Sequence, residues 1–321
     1  TSFYFKKLKL EERLRKEMVM RDFDDESFSP LRVLQILEEM LAVETETIDL
    51  KKDMYLKLLK IFTYLETDNP NDFIRIVNPG DMGRRYSGHR YLYIWSEEFR
   101  SVSNEHILAF LKNNEIREVL VSPGLQNEEK FRDFVFLAGT RDIQTHLMIG
   151  ENRMLDGEGN SRLASQLEKY SDYLIRGVHI DIEPHTRDDF RNATSGYLTR
   201  YSTLLQTARE FCNARGLKLS ASIPVFYDES YLNSVYGICD RVFVMAYGKP
   251  VLESIAGKME EELLAGKSKT VLALRPEDFS NRMEMERFAA DLMKRLDISE
   301  LALHDLRRLI DIDARSVLQT P

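Results

Sequence analysis

Cysteine is nearly absent from this 321-residue chain: Cys212 and Cys239 are the only two, and neither sits in a C-x-x-C. A disulfide framework is excluded, and the redox compartment is not readable from so few thiols. No run of about 18 apolar residues occurs, which excludes a membrane-spanning helix. The six histidines follow no zinc-finger spacing. Basic charge is also short. Lys and Arg number 45 against 53 Asp and Glu, a net charge of -8. That balance argues against nucleic acid as a partner, because a phosphate backbone rewards basic stripes. Low-complexity tracts and short-period repeats are missing, and tryptophan occurs once, at Trp95. What remains is ordinary for a soluble globular protein, with 43% hydrophobic and 31% charged residues in a length that suits one large domain or two smaller ones. The chain begins TSFYFKK, without methionine. A signal peptide or upstream domain removed from this end is the expectation, and with it a secreted or periplasmic location.

Two regions separate by pattern. Residues 1–70 are rich in Leu, Met, Glu and Lys at helical spacing. In FSPLRVLQILEEMLAVE, Ser29 is a candidate N-cap and Pro30 a candidate first helical residue. Leu31, Leu34, Leu37, Met40 and Leu41 make one apolar stripe there, and Leu50, Met54, Leu58, Ile61 and Leu65 repeat it in the next segment. TDNPND at 67–72 breaks the pattern. A helical extension packed on the main domain is the plainer expectation. The sharper one is an interaction module whose helices contact another domain or subunit.

From residue 88 the rhythm changes. Apolar, β-rich runs recur: YLYIW (91–95), REVLVS (117–122), IQTHLMIG (143–150), RGVHIDIE (176–183), LKLSASIPV (217–225), RVFVMAY (241–247), KTVLALR (269–275) and ELALHDL (300–306). Amphipathic helical stretches lie between them, such as NEEKFRDFVFLAG and YLTRYSTLLQTAREFCNARG, the latter ending at Gly216 as a C-cap. Strands alternating with helices imply parallel strands, since each crossover needs a dozen or more residues. Eight such units over 88–313 fit an α/β chain folded as a (β/α)8 barrel with an N-terminal α-helical extension. An open doubly wound sheet would show a glycine-rich phosphate turn after its first strand, and WSEEFRS is nothing of the kind.

RGVHIDIEPH (176–185) carries the chemistry. Val178, Ile180 and Ile182 alternate with His179, Asp181, Glu183 and His185. In a closed barrel one parity faces the helices and must be apolar, while the other points inward and meets solvent and substrate at the C-terminal rim. Three ionisable groups inside a barrel cost several kcal/mol, roughly, unless each is partnered. The same D-x-E spacing at Asp24/Glu26 and Asp156/Glu158 falls in segments that read as loops, so only its place on an apolar-alternating strand gives it weight.

RGVHIDIEP resembles the fourth-strand signature D-G-x-D-x-D-x-E of the family-18 glycoside hydrolases, the chitinase-like barrels. Gly177, Asp181 and Glu183 match, while Arg176 and His179 stand where that pattern has Asp. DRVFVMAYG resembles the family's M-x-Y-D segment, with Met245 and Tyr247 kept and Gly248 replacing Asp, and LKLSASIPV resembles its fifth strand. The likeness covers 88–313 and is that of a distant branch with no assigned substrate. It implies a glycoside hydrolase acting on a polysaccharide or oligosaccharide, N-acetylated sugars included, without a cofactor. Glu183 would be the general acid, Asp181 would orient the 2-acetamido group that attacks the anomeric carbon, and Tyr247 would donate to its carbonyl. A carboxylate beside Glu183 raises its pKa.

The departures shape the remaining candidates. An imidazole at His179, below Asp181, would hold Asp181 ionised more firmly and ease the pressure on Glu183. The family's eighth-strand Trp is replaced by His304, so stacking on a sugar falls to Trp95, Tyr93, Phe226 or Tyr227. Glu97, Glu151, Asn152, Tyr227, Asp228, Arg275 and Glu277 are further polar residues at strand ends. Each fits a solvated loop or an ion pair more readily than catalysis, with Glu151 and Arg275 the two to test. The candidate substrate-binding set is His179, Trp95, Glu151, Tyr227, Arg275 and His304. Two other classes stay open. His179, Asp181, Glu183 and His185, with His146 and His304, suggest a metal-dependent barrel hydrolase, although the H-x-H that often opens such barrels is missing and residues two apart on a strand lie about 6–7 Å apart. A carbohydrate-binding barrel without turnover is the other.

Overall fold

All eight apolar runs are strands in the computed structural model: β1 (His89–Ile94), β2 (Glu118–Val121), β3 (Gln144–Ile149), β4 (Gly177–Ile180), β5 (Lys218–Pro224), β6 (Arg241–Met245), β7 (Thr270–Leu274) and β8 (Glu300–Leu303). Neighbours in the chain pair in parallel, and β8 closes onto β1, with Leu92 opposite Leu303. The structure describes residues 2–22, 29–64, 86, 88–124 and 126–318. The chain divides into two compact units, Thr1–Gly83 and Arg84–Pro321.

In the barrel unit, alternation sorts the side chains as the closed sheet demands. Leu92, Ile94, Val119, Val121, Leu147, Ile149, Val178 and Ile180 face outward and are buried with helix residues such as Phe99, Phe131 and Phe134. Each fully buried side chain of this kind contributes roughly 1.5–3 kcal/mol. Tyr91, Tyr93, Leu120, Met148, Phe243, Val271, Ala273 and Ala302 point inward as a second cluster. Phe131, Phe134, Val135 and Ala138 are the buried stripe of the helix Glu128–Gly139. The long helix Phe190–Arg215 ends on Gly216, whose left-handed φ of 65° makes it the C-cap.

The inner wall is polar at both ends. At the N-terminal end, Arg241 and the Tyr91 hydroxyl donate to Glu300 at 2.8 and 3.0 Å. His146 bonds Glu118 at 2.8 Å. Burial of Glu118 opposes its ionisation, but hydrogen bonds with His146 and His89 prevail and hold its pKa at about 2. His146 is therefore committed to the floor, far below the mouth. Gly177 is required beside it: a Cβ there would lie 2.4 Å from the Lys218 carbonyl oxygen and 2.8 Å from His146 Nδ1. Arg90, also buried, donates twice to Glu286, at 2.9 and 2.7 Å.

The first unit is built on two helices, α1 (Ser2–Asp22) and α2 (Pro30–Tyr64). Ser29 and Pro30 open α2 as expected, with Arg32 N–H donating to Ser29 Oγ at 3.4 Å. The two segments expected to repeat a helical pattern are one unbroken helix. The face α2 turns to α1 is Ile36, Met40 and Val43, packed on Leu10 and Leu14; Leu31, Leu34, Leu37 and Leu41 are exposed instead. The side chains of the second stripe, Leu50 to Leu65, and the TDNPND break lie outside the described residues.

Candidate active site

The β4 ladder ends at Ile180, and the chain continues along the same line to the rim. Asp181 N–H donates to Ile149 O at 2.8 Å, which keeps the next residue in extended pairing. Pro184 then starts a short 3-10 turn, Pro184–Thr186, and leaves Glu183 at the corner. Asn152, after β3, clamps that corner. Its Oδ1 accepts from Glu183 N–H at 2.8 Å and its Nδ2 donates to Thr186 Oγ1 at 2.7 Å, while Thr186 Oγ1 donates to Glu183 O at 2.8 Å. Asp181 is 3% exposed, and the Glu183 side chain 30%. Among the described residues neither carboxylate pairs with Lys or Arg; His185 Nε2 lies 3.8 Å from Glu183 Oε2.

Burial raises Asp181 to about 6, partly opposed by a hydrogen bond with Ser222. Burial also raises Glu183, to about 7, and the charge of Asp181 adds to it. The neighbouring carboxylate is thus the second cause of the Glu183 shift, whereas the sequence argument rested on it alone. His179 corrects a further expectation. It is fully buried beneath Asp181, with Nδ1 2.8 Å from Ser220 Oγ and Nε2 2.9 Å from Ser222 Oγ. Burial drives its pKa well below 6.5, so the ring is neutral. Its nitrogens are taken by serines, so it is neither a substrate contact nor a charge that ionises Asp181. Tyr93, fully buried with its hydroxyl 2.9 Å from Ser222 Oγ, is likewise no sugar platform.

Above this layer, polar atoms converge without partners. Trp95 Nε1–H donates to His304 Nε2 at 3.3 Å. Burial lowers the His304 pKa to about 4, so the neutral ring carries its proton on Nδ1. That Nδ1, the Tyr247 hydroxyl and Asp181 Oδ1 are all buried without a hydrogen-bond partner among the described residues. Burial pushes the Tyr247 phenol well above 10, leaving it a donor. The Tyr247 and His304 rings lie 5.4 Å apart, and Arg275 sits 5.2 Å over the Tyr247 ring. Buried polar groups in native proteins are nearly always bonded, so two orphaned donors and an orphaned carboxylate oxygen at a barrel mouth are the mark of a polar ligand. Trp95 borders the same place. It packs so closely on Gly150 that a Cβ there would come within 2.8 Å of its ring. Beside it, over the ends of β1–β3, opens a cavity of about 860 Å³ lined by Trp95, Gln126, Asn127, Glu151, Asn152 and Arg153 among others.

The remaining candidates divide. Glu151 lines that cavity but is paired with Arg153. Arg275 is held by Asp278 at 2.8 Å and Glu277 at 3.3 Å, so it braces Tyr247 rather than waiting for a ligand. Tyr227 is buried against Tyr231, ring centroids 4.6 Å apart. The ring its segment exposes is Phe226, edge-on to His185 at 5.3 Å. Asp228 caps a helix by accepting from Tyr231 N–H at 3.0 Å. No three His, Cys, Asp or Glu side chains among the described residues are grouped as metal ligands, because His146 is at the floor and His179 is bound by serines. Sequence reasoning missed Ser220 and Ser222 as the partners of His179. The alternation in LSASIP, which puts both serines on the inward parity, was the available signal.

No family profile matches the chain, and no curated protein sequence does. Solved structures do. A chitinase from Chromobacterium violaceum ATCC 12472 is 12% identical, covers 73% of this chain and 100% of its own, and superposes with a TM-score of 0.51. A plant class V chitinase mutant from Cycas revoluta in complex with (GlcNAc)3 is 12% identical over 71% of this chain and 98% of its own, with a TM-score of 0.53. The PgaB (BpsB) glycoside hydrolase domain from Bordetella bronchiseptica is 9% identical over 72% and 97%, with a TM-score of 0.50. Such identities speak for the fold alone: the chain is a (β/α)8 barrel of the architecture these glycoside hydrolase domains share.

Proposed function

We propose that residues 88–313 are a glycoside hydrolase acting on an oligosaccharide or polysaccharide, with N-acetylated sugars as the first class to test, and that residues 1–70 are a helical extension to it. The observation that carries this reading is the pair of carboxyls at the end of β4, free of Lys and Arg partners among the described residues and raised toward neutrality, beneath a mouth lined by unpartnered polar atoms. A carboxyl with a pKa of about 7 still holds its proton on half the molecules at neutral pH, which is what a general acid needs. In the substrate-assisted route, Glu183 gives that proton to the glycosidic oxygen as the C1–O bond breaks. The acetamido carbonyl oxygen bonds to C1 in its place. Asp181 accepts the acetamido N–H through its unpartnered Oδ1 and balances the positive charge of the ring so formed. Tyr247 and His304 Nδ1–H donate to sugar oxygens, and Trp95 offers its ring. Water then adds to C1, losing its proton to the Glu183 carboxylate, and the acetamido group is released. A chitinase bound to (GlcNAc)3 among the structural neighbours is in keeping with this.

The test is incubation with a panel of N-acetylated and neutral oligosaccharides, products read by mass spectrometry and binding by calorimetry. Cleavage of at least one glycan, lost in Glu183→Gln with binding retained, is the expected result. Binding without cleavage would leave a carbohydrate-binding barrel, the reading that His304 and Gly248 favour by replacing the family's Trp and Asp. No binding to any glycan would end the sugar reading.

A further inference from the structure

The β3–β4 ladder stops one rung short of the Glu183 corner. Asp181 N–H donates to Ile149 O at 2.8 Å, and a parallel ladder repeats such a bond at every second residue of each strand. The next rung would run from Glu183 N–H to Glu151 O. The chain turns away there instead: β3 ends at Ile149, a 3-10 turn spans Asn152–Leu155, and Met154 N–H donates to Glu151 O at 2.9 Å. Asn152 supplies the missing acceptor from its side chain, with Oδ1 2.8 Å from Glu183 N.

The other half of the amide closes a ring. Asn152 Nδ2 donates to Thr186 Oγ1 at 2.7 Å, and that hydroxyl donates to Glu183 O at 2.8 Å. A hydroxyl accepts and donates at once, so the N–H and the C=O of Glu183 are both tied to one side-chain amide. The carboxyl has no such anchor. Among the described residues no hydrogen bond reaches it, and His185 Nε2 stands at 3.8 Å, beyond hydrogen-bond length. Where the carboxyl points is therefore set by its own backbone. That backbone is fixed by Asn152, by Thr186 and by Pro184, whose ring restricts the residue before it.

We propose that Asn152 is a positioning residue for the proton donor, acting through the backbone of Glu183 with Thr186 as its relay. The inference rests on the reading of Glu183 as general acid. Proton transfer to a glycosidic oxygen needs the carboxyl within hydrogen-bond reach of it, and a misplacement of about 1 Å can cost about 100-fold in rate. Asn152 exchanges no proton with the substrate. Its effect is confined to the steps that use the Glu183 carboxyl, which separates this role from a general support of the fold.

Release of the leaving group in a single turnover tests this, on an oligosaccharide that the wild type cleaves and on the matching nitrophenyl glycoside, with Glu183→Gln run alongside. Asn152→Ala should slow the oligosaccharide step by about 10- to 100-fold. The nitrophenyl glycoside, whose phenolate departs without a proton, should be nearly unaffected. Thr186 is exposed, so Thr186→Val keeps the fold; it should show the same bias at smaller size, and Thr186→Ser, which returns the hydroxyl, should recover the rate. Equal slowing on both substrates would make Asn152 a support of the fold only, and no slowing on the oligosaccharide would show that the corner holds without it. Either result overturns the proposal and leaves the acid standing, provided Glu183→Gln keeps its own bias toward the oligosaccharide. If Glu183→Gln shows no such bias, or the wild type cleaves no glycan, the acid is lost and the positioning role with it.

Discussion

Replacing Glu183 by glutamine should make the protein more stable in alkali and leave it unchanged in acid. The folded protein holds the Glu183 proton up to a pH of about 7, against an ordinary value of 4.5. Between those values the folded state binds more protons than the unfolded chain, so stability falls as pH rises through the window. At about 1.4 kcal/mol per pKa unit, the full cost of ionising Glu183 in its site is roughly 3 kcal/mol. The side chain remains 30% exposed, and solvent screening reduces the expected gain to about 2 kcal/mol. Glutamine keeps the shape and never ionises. Urea unfolding of both proteins should therefore give equal midpoints near about pH 4 and a gain of about 2 kcal/mol for Glu183→Gln near about pH 9. Loss of stability at high pH, or a difference that does not change with pH, would refute the claim that burial rather than a solvated contact sets this carboxyl.

Three further outcomes follow from the same geometry. Glu286→Ala strands the buried Arg90 guanidinium and should cost about 3–5 kcal/mol in urea unfolding; a loss under about 1 kcal/mol would mean that the charge finds other partners. The His179 ring, held by two serines, should keep neutral nitrogen chemical shifts by NMR down to about pH 5, and protonation above that pH would contradict its placement. Trp95 is the only tryptophan and borders both His304 and the cavity. A glycan bound to Glu183→Gln should change its fluorescence, and binding seen by calorimetry with unaltered emission would put the ligand elsewhere.

Much of the barrel was legible because its signal is local. Eight runs with period-two apolar residues, separated by helix-length segments, leave little choice for a closed parallel sheet, and all eight fall on strands. Asp181 and Glu183 stood out since their parity put them inside while Val178, Ile180 and Ile182 went to the helices. What was not legible depends on neighbouring strands. His179 looked like a charge beside Asp181 until β5 supplied two serines at its height. Tyr93 and Tyr227 looked like platforms, but depth inside the barrel and packing on Tyr231 decide exposure, and no residue pattern on one strand encodes either. In α2 an apolar stripe was evident, yet which of its two apolar faces meets α1 is a matter of helix pairing.

The role of Glu183 is tested most directly by comparing leaving groups. On an oligosaccharide cleaved by the wild type, the departing sugar oxygen needs a proton, and Glu183→Gln should cost about 10²–10⁴ in kcat. On the matching aryl glycoside, whose phenolate departs without help, the first step should lose far less. Equal losses in the rate of that first step on both substrates, read from the release of the leaving group in a single turnover, or no loss on either substrate, would contradict Glu183 as the proton donor.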